Sequence, residues 1–285
     1  MVMMSVSNAA QIDEFLQKHQ VIHALPENAT QIMRMTMDAN CNSADLVKVI
    51  EKDAALAAAI MKTVNSAFYS VATKMTRLDY AVSYLGMKTV KEVATSTVLS
   101  KMCKSVTFGT YSARDLWDHG ISVAIVSREL AMRSKKFDAE EAFLAGILHD
   151  LGLMLASQSE VATGTELLTQ AEAGNVPFAE LEQRLFGFSH AELGAALAKK
   201  WAFPEPQAAA IQFHHKPDEA PEEYQALCKH LYLADTLACQ TNIGCPLSAK
   251  AQTVTDDYSQ AAGINAAMID EVMSEFAILA RLHLN

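Results

Sequence analysis

Several residues in this sequence place metal-ligating or acid–base side chains where apolar ones are expected. His149-Asp150 interrupts the apolar runs 142–148 and 151–155. An ionised Asp in such a helix is costly, since burying even an unpaired neutral polar group costs about 1–3 kcal/mol. It needs a partner. His119 lies in the apolar stretch 116–126, and Asp235 lies in another, 231–238. His190 opens a helix, and His214-His215 close one. Two arrangements satisfy such residues. They can hydrogen-bond one another or a neighbouring helix, or they can share a metal ion. Neutral imidazole and carboxylate suit zinc, manganese or iron. Acids and histidines on different helices are how helical bundles build metal sites.

The elements that must bring these residues together are helices. Eleven glycines and seven prolines in 285 residues amount to about 6%, against roughly 12% in an average protein. Turns need these residues, so few tight turns and long helices are expected. No run of alternating β-branched residues suggests a strand. Helices are read at 8–24, 28–40, 44–51 (capped by Ser43), 53–65, 77–85 and 88–105, with a turn at Gly86. Residues 66–76 read as a loop and 106–112 as a connection. The second half reads as helices at 113–134, 138–157, within 158–175, 177–186, 190–201, 205–214, 223–240 and 266–282. Gly174-Asn175 is a C-cap signal. Ser189 and Glu192 fit a capping box. Residues 216–222 read as a loop, and a turn falls at Gly244 to Pro246. No internal repeat or low-complexity tract is present.

Composition narrows the classes further. Hydrophobic residues at 51% and charged residues at 20% give a chain able to bury a sizeable core. A net charge of −10 disfavours a nucleic-acid backbone, whose binding draws on cationic side chains. Lys88, Lys91, Lys101 and Lys104 are too sparse to make residues 77–100 a DNA-binding helix-turn-helix. The pairs Lys135-Lys136 and Lys199-Lys200 read as solvated faces. The five cysteines Cys41, Cys103, Cys228, Cys239 and Cys245 are odd in number and lack a C-x-x-C. They read as reduced thiols in a cytoplasmic protein. The N-terminus lacks the basic start of a signal peptide. The apolar stretch 142–156 is too short and polar to span a membrane. Met33, Met35 and Met37 read as core or interface packing. His19, His23, His230 and His283 read as surface or capping residues.

The order His, His-Asp, Asp resembles the HD superfamily of metal-dependent phosphohydrolases. Its pattern falls on His119, His149-Asp150 and Asp235, with 29 and 84 residues between successive elements. The chain is more closely similar to the HDOD domain, the HD-related output domain of bacterial signalling proteins, over roughly residues 20–220. In the N-terminal half the likeness rests on Leu25-Pro26, residues 53–56, 60–69 (with Asn65 to Tyr69 as a turn signature) and 84–87. In the C-terminal half it rests on residues 116–119, 145–152, 190–194, 201–204 and His214-His215. The resemblance implies an all-α fold of two helical subdomains. An N-terminal bundle is expected over 1–107. An HD-like bundle with a C-terminal extension is expected over 108–285.

The resemblance also implies function. The HDOD family suggests a signalling or regulatory module, while the ligand set here is complete. His190 and the His214-His215 pair fall where the related HD-GYP phosphodiesterases hold a second metal. The implied cofactor is therefore one or two divalent ions of iron, manganese or zinc. His119, His149, Asp150 and Asp235 would hold the first, and His190 with His214 or His215 the second. Asp150 would be the bridging carboxylate, and a catalytic residue if the site is active. The implied partner is a signalling protein or a small phosphate-containing ligand, with neither nucleic acid nor membrane. An active phosphohydrolase acting on a phosphate ester or nucleotide is the alternative. Hydrolysis of cyclic-di-GMP in the HD-GYP manner is disfavoured. Leu153 stands where those enzymes carry Lys, and residues 216–221 lack their Gly-Tyr-Pro.

Overall fold

A computed structural model describes residues 6–19, 31, 35, 41–65, 71, 73–102, 107–108, 110–157, 165–173, 176–201, 203–245 and 247–283. The fold is all-α. Among the described residues the sole extended pairing is a two-residue antiparallel ladder. It joins β1 (Thr107–Phe108) to β2 (Tyr111–Ser112) within the expected connection. The helix expected at 28–40 lies mostly outside the described residues, as do Leu25-Pro26, residues 66–70, Gly174-Asn175 and Pro246. No described helix is long and apolar enough to cross a membrane.

The chain divides into two compact units, residues 24–102 with 201–203 and residues 1–23 with 103–200 and 204–285. The smaller unit contains α2 (Ser43–Ile50), α3 (Ala54–Val64) and α4 (Leu78–Met102). Leu46, Ile50, Leu56, Ile60, Val64, Val82 and Val90 form its core, with Met35 packed against it. The cap of α2 is Asn42, one residue before the expected Ser43. Its side-chain oxygen accepts from the Asp45 N–H at 2.9 Å. The turn expected at Gly86 is present as a break inside α4, at φ +78° and ψ 161°. Asn65 ties the end of α3 to Met75. Its amide nitrogen donates to the carbonyls of Met61 and Met75, and its oxygen accepts from the Met75 N–H.

The larger unit contains α1 (Val6–Lys18), α5 (Ala113–Ser134), α6 (Ala139–Leu148), α7 (Leu151–Ala156), α8 (Thr165–Ala173), α9 (Phe178–Phe186), α10 (His190–Lys200), α11 (Glu205–Phe213), α12 (Glu222–Gln240), α13 (Asp256–Ala262) and α14 (Ala266–His283). Sequence order groups α1 with the N-terminal bundle, but α1 packs within the larger unit. Phe15 meets Phe188 edge-on at 5.7 Å, and Asn8 donates to Glu192 at 3.3 Å. α5 is the central element, packed against α6, α12 and α14. It starts at a capping box in which the Asp115 N–H donates to Ser112 Oγ and Asp115 Oδ2 accepts from the Ser112 N–H. The box expected at Ser189 and Glu192 is formed as well.

Two elements differ from the sequence reading, the first of them at the site. The single helix expected at 138–157 is two, α6 and α7, broken at His149-Asp150, where Asp150 adopts φ −94° and ψ 21°. The apolar run continues through the break, so composition alone reads as one helix. The second difference is α13. Its start at Thr255, which accepts from the Tyr258 N–H, and its end at Gly263 with φ +71° are ordinary capping signals.

Candidate metal centre

Four helices and one junction converge in the larger unit. α5 supplies His119, the α6–α7 junction His149 and Asp150, and the first turn of α10 His190. The C-terminus of α11 supplies His214 and His215, and the middle of α12 Asp235. All seven residues expected from the sequence come together. His119, His149, His214 and Asp235 are 0% exposed, and Asp150 and His190 are 1% exposed. His215 is partly buried.

Small residues permit this convergence. A Cβ on Gly146 would lie 2.5 Å from Ala124 Cα, so α5 and α6 meet backbone to backbone. A Cβ on Gly152 would overlap the His190 carbonyl, fixing α7 against α10. Gly244, at φ +80°, lets the segment after α12 lie on the Asp115 carbonyl and the His119 N–H.

The polar atoms form two linked sets around Asp150. Its Oδ2 is 3.3 Å from His149 Nε2 and 3.8 Å from His119 Nε2. Asp235 Oδ1 is 3.1 Å from His119 Nε2 and 3.8 Å from His149 Nε2. On the other side, Asp150 Oδ1 is 3.2 Å from His190 Nε2 and 3.7 Å from His214 Nε2. His190 Nε2 is 3.4 Å from His214 Nε2 and 2.9 Å from His215 Nε2. Two ligands about 2.1 Å from one tetrahedral or octahedral ion sit roughly 3.0–3.4 Å apart. The approaches of 3.1, 3.2, 3.3 and 3.4 Å fall in that range, and the 2.9 Å pair lies just below it. Asp150 with His190, His214 and His215, His119 with His149 and Asp150, and His149 with His214 and Asp235 are groups that could hold an ion.

The protonation pattern fits a cation as well. His149 and His214 are the C-caps of α6 and α11. Helix ends leave carbonyls unpaired, and each ring donates its Nδ1–H to the carbonyl three residues back, Gly146 or Ile211, at 2.7 Å. That leaves Nε2 as a lone pair aimed inward, the usual way an outer partner readies a histidine ligand. His149 Nε2, Asp150 Oδ1 and Asp235 Oδ2 are buried with no hydrogen-bond partner. Inward-facing acceptors of this kind need a proton or a metal between them.

Electrostatics describes the metal-free centre. Burial opposes charge on His149, but Asp150 and Asp235 outweigh it and push its pKa up to about 9. Burial likewise opposes charge on His190, and Glu182 and Asp150 push it up to about 10. Burial would raise Asp150, but the surrounding imidazoles, His149 foremost, hold it well below the usual carboxylate range. Burial lowers His214, and it lowers His215 strongly with help from its imidazole neighbours. Without metal, protons take the cation's place.

Sequence reasoning missed the supporting residues. Glu182, 3% exposed, accepts from His190 Nδ1 at 2.5 Å and from the His190 N–H at 2.9 Å. Its signal was readable, since it stands one helical turn from buried Phe178. Ser248 Oγ donates to Asp150 Oδ2 at 3.2 Å, and Gln252 hydrogen-bonds His215 Nδ1. Both lie in the non-helical segment after α12, where periodicity says nothing. His230 corrects an expectation. Read as a surface or capping residue, it is 0% exposed, with Nε2 2.9 Å from the Ser127 carbonyl and its pKa lowered by burial to about 4. It stands in α12 with its backbone bonds satisfied by the helix, so a buried carbonyl acceptor makes the position tolerable.

Comparison with known proteins places the chain in a family. The family profile of the HDOD domain matches residues 22–217. An uncharacterised protein of Treponema pallidum is 26% identical over 215 residues, which is 75% of this chain and 41% of that one. This chain thus spans about two fifths of the length of that relative. A candidate phosphohydrolase of Shewanella amazonensis SB2B, solved as a crystal structure, superposes with TM-score 0.74 at 25% identity over 95% of both chains. A candidate signal transduction protein of Marinobacter aquaeolei VT8 superposes with TM-score 0.80 at 21% identity, over 97% of this chain and 64% of that one.

Proposed function

Since this chain belongs to the HDOD domain family, we propose that it is a signalling or regulatory module whose buried His/Asp centre holds one or two divalent ions. The carrying observation is the set of inward-facing acceptors without partners on His149, Asp150 and Asp235. His119, His149, Asp150 and Asp235 hold one ion. Asp150, His190, His214 and His215 hold the other, with Asp150 bridging. The donor set suits iron, manganese or zinc.

Closure supports a regulatory role over catalysis. Structural metal sites are closed, whereas catalytic ones keep an open position. Six of the seven ligands are at most 1% exposed, and Ser248 reaches onto Asp150 from the segment after α12. In this reading metal occupancy sets helix packing. The packed helices then present a surface to a signalling protein or respond to a small phosphate-containing ligand. The module works in the cytoplasm, where the thiols of Cys41, Cys228, Cys239 and Cys245, none in a disulfide, stay reduced.

One observation favours a second reading, a metal-dependent phosphohydrolase. His215 is the ligand with partial exposure, and it flanks the second ion's position. A bound ion there would lower the pKa of its water and polarise a phosphoryl oxygen. The name of the Shewanella neighbour points the same way. A panel of phosphate esters and nucleotides, assayed with manganese, iron or zinc, separates the two. The module reading expects no turnover above the metal blank. Metal-dependent turnover that disappears in Asp150→Ala would overturn it in favour of the enzyme.

A further inference from the structure

We propose that Ser248 is a positioning residue for Asp150, turning its carboxylate so that each oxygen serves one histidine set. This rests on the reading of the centre as a metal site. A carboxylate can give both oxygens to one ion, or one oxygen to each of two. The choice lies in rotation about its last side-chain bond. That torsion has no sharp staggered wells, so its neighbours must set it.

The local backbone does not set it. Asp150 is the N-cap of α7, a position where an Asp side chain usually accepts from a first-turn N–H. Here the side chain makes no such bond. Ser248 Oγ lies 3.2 Å from Asp150 Oδ2. An ionised carboxylate only accepts, so the hydroxyl donates. Among the described residues no other hydroxyl or amide donates to that side chain. The bond keeps Oδ2 on the side of His149 and His119, 3.3 Å and 3.8 Å from their Nε2 atoms. Oδ1 then faces His190 Nε2 at 3.2 Å and His214 Nε2 at 3.7 Å.

Ser248 is itself placed by bonds that do not involve Asp150. The segment after α12 is tied on both sides of it. Before it, the Cys245 N–H donates to the Asp115 carbonyl of the α5 cap at 3.1 Å. After it, Thr236 Oγ1 on α12 donates to Gln252 Oε1 at 2.8 Å, and the Thr253 N–H donates to the Tyr232 hydroxyl oxygen at 3.4 Å. Leu247, Ser248 and Ala249 are buried between these ties. The hydroxyl therefore reaches Asp150 from a segment anchored on α5 and α12, the two helices that carry His119 and Asp235.

The test loads the metal-free full chain with manganese and follows competition titration and electron paramagnetic resonance. Wild type at two ions per chain is expected to show the exchange-coupled spectrum of two manganese ions sharing a carboxylate. Ser248→Ala removes the donor. It is expected to bind manganese about 10- to 100-fold more weakly, the usual effect of losing an outer partner, and to show isolated ions at the same loading. Ser248→Cys keeps the reach of the side chain but has only a weak S–H donor, and is expected to follow Ser248→Ala. Ser248→Thr keeps the hydroxyl and is expected to restore coupling and affinity. Circular dichroism of the metal-free chains checks the fold of each variant. A role in stability alone would lower the metal-free Tm but leave wild-type affinity and coupling in Ser248→Ala and Ser248→Cys, and that result would overturn the proposal. Uncoupled ions in wild type would overturn it too. A wild type that binds no manganese, iron or zinc ends the metal reading and this proposal with it, an outcome distinct from bound ions that ignore Ser248.

Discussion

Replacing Gly152 by alanine forces apart two helices that meet backbone to backbone beside the centre. The new Cβ would lie 2.6 Å from the Gly194 nitrogen and 2.8 Å from the His190 carbonyl carbon, and would overlap the His190 oxygen. These are backbone atoms, and no rotamer change moves them away. Ordinary contact needs about 3.4 Å or more, so α7 and α10 must separate by about 1 Å in a close-packed interior. Overpacking of this kind costs about 1–3 kcal/mol. For a unit of this size that corresponds to a fall in Tm of roughly 2–12 °C. The site should feel the same displacement. Asp150 lies two residues before Gly152, and His190 opens α10. Their 3.2 Å approach would open to about 4 Å, beyond the spacing of two ligands on one ion. An ion held as proposed by Asp150, His190, His214 and His215 is therefore expected to bind more weakly, with the His119, His149 and Asp235 side less affected. Thermal unfolding of chelator-treated protein and zinc competition titration measure the two effects. Wild-type Tm together with wild-type affinity in Gly152→Ala would refute the reasoning that this helix contact sets the site.

Other perturbations test other links. His149 and His190, raised to about 9 and about 10, carry protons at neutral pH in the metal-free protein. Metal loading should release about two protons per filled centre, visible with an indicator dye in weak buffer, and affinity should rise with pH. Because both folded-state values lie above the ordinary 6.5, they stabilise the metal-free fold fully below that pH. Metal-free Tm should fall as pH rises through about 9 to about 10. Glu182→Gln keeps the shape of the His190 anchor and removes its charge, and should weaken zinc about 10- to 100-fold, read by the same competition titration. Gly86→Ala meets nothing within 4 Å but forces alanine to φ +78°. It should cost about 1 kcal/mol in urea unfolding and leave metal affinity unchanged.

The cluster was legible because its members are polar residues in apolar helices, a pattern that a linear sequence displays. Its supports were less so. Glu182 sits on the buried face of α9 one turn from Phe178, a position readable from helical spacing. Ser248 and Gln252 lie in the stretch between α12 and α13, where no period marks an inward side chain. The break at His149-Asp150 has no glycine or proline at the two residues themselves. It follows from Asp150 leaving helical geometry to face both histidine sets, which is a tertiary demand. Membership of α1 in the larger unit is likewise decided by contacts with residues more than 150 positions away, such as Glu192, rather than by order along the chain.

Metal content measured on purified wild type and on His149→Ala, after reconstitution with manganese, iron or zinc and removal of loose ions, tests the central claim most directly. The account predicts at least one tightly held ion per wild-type chain and a clear loss in His149→Ala. Wild-type protein that folds yet retains no stoichiometric ion with any of the three metals would contradict it.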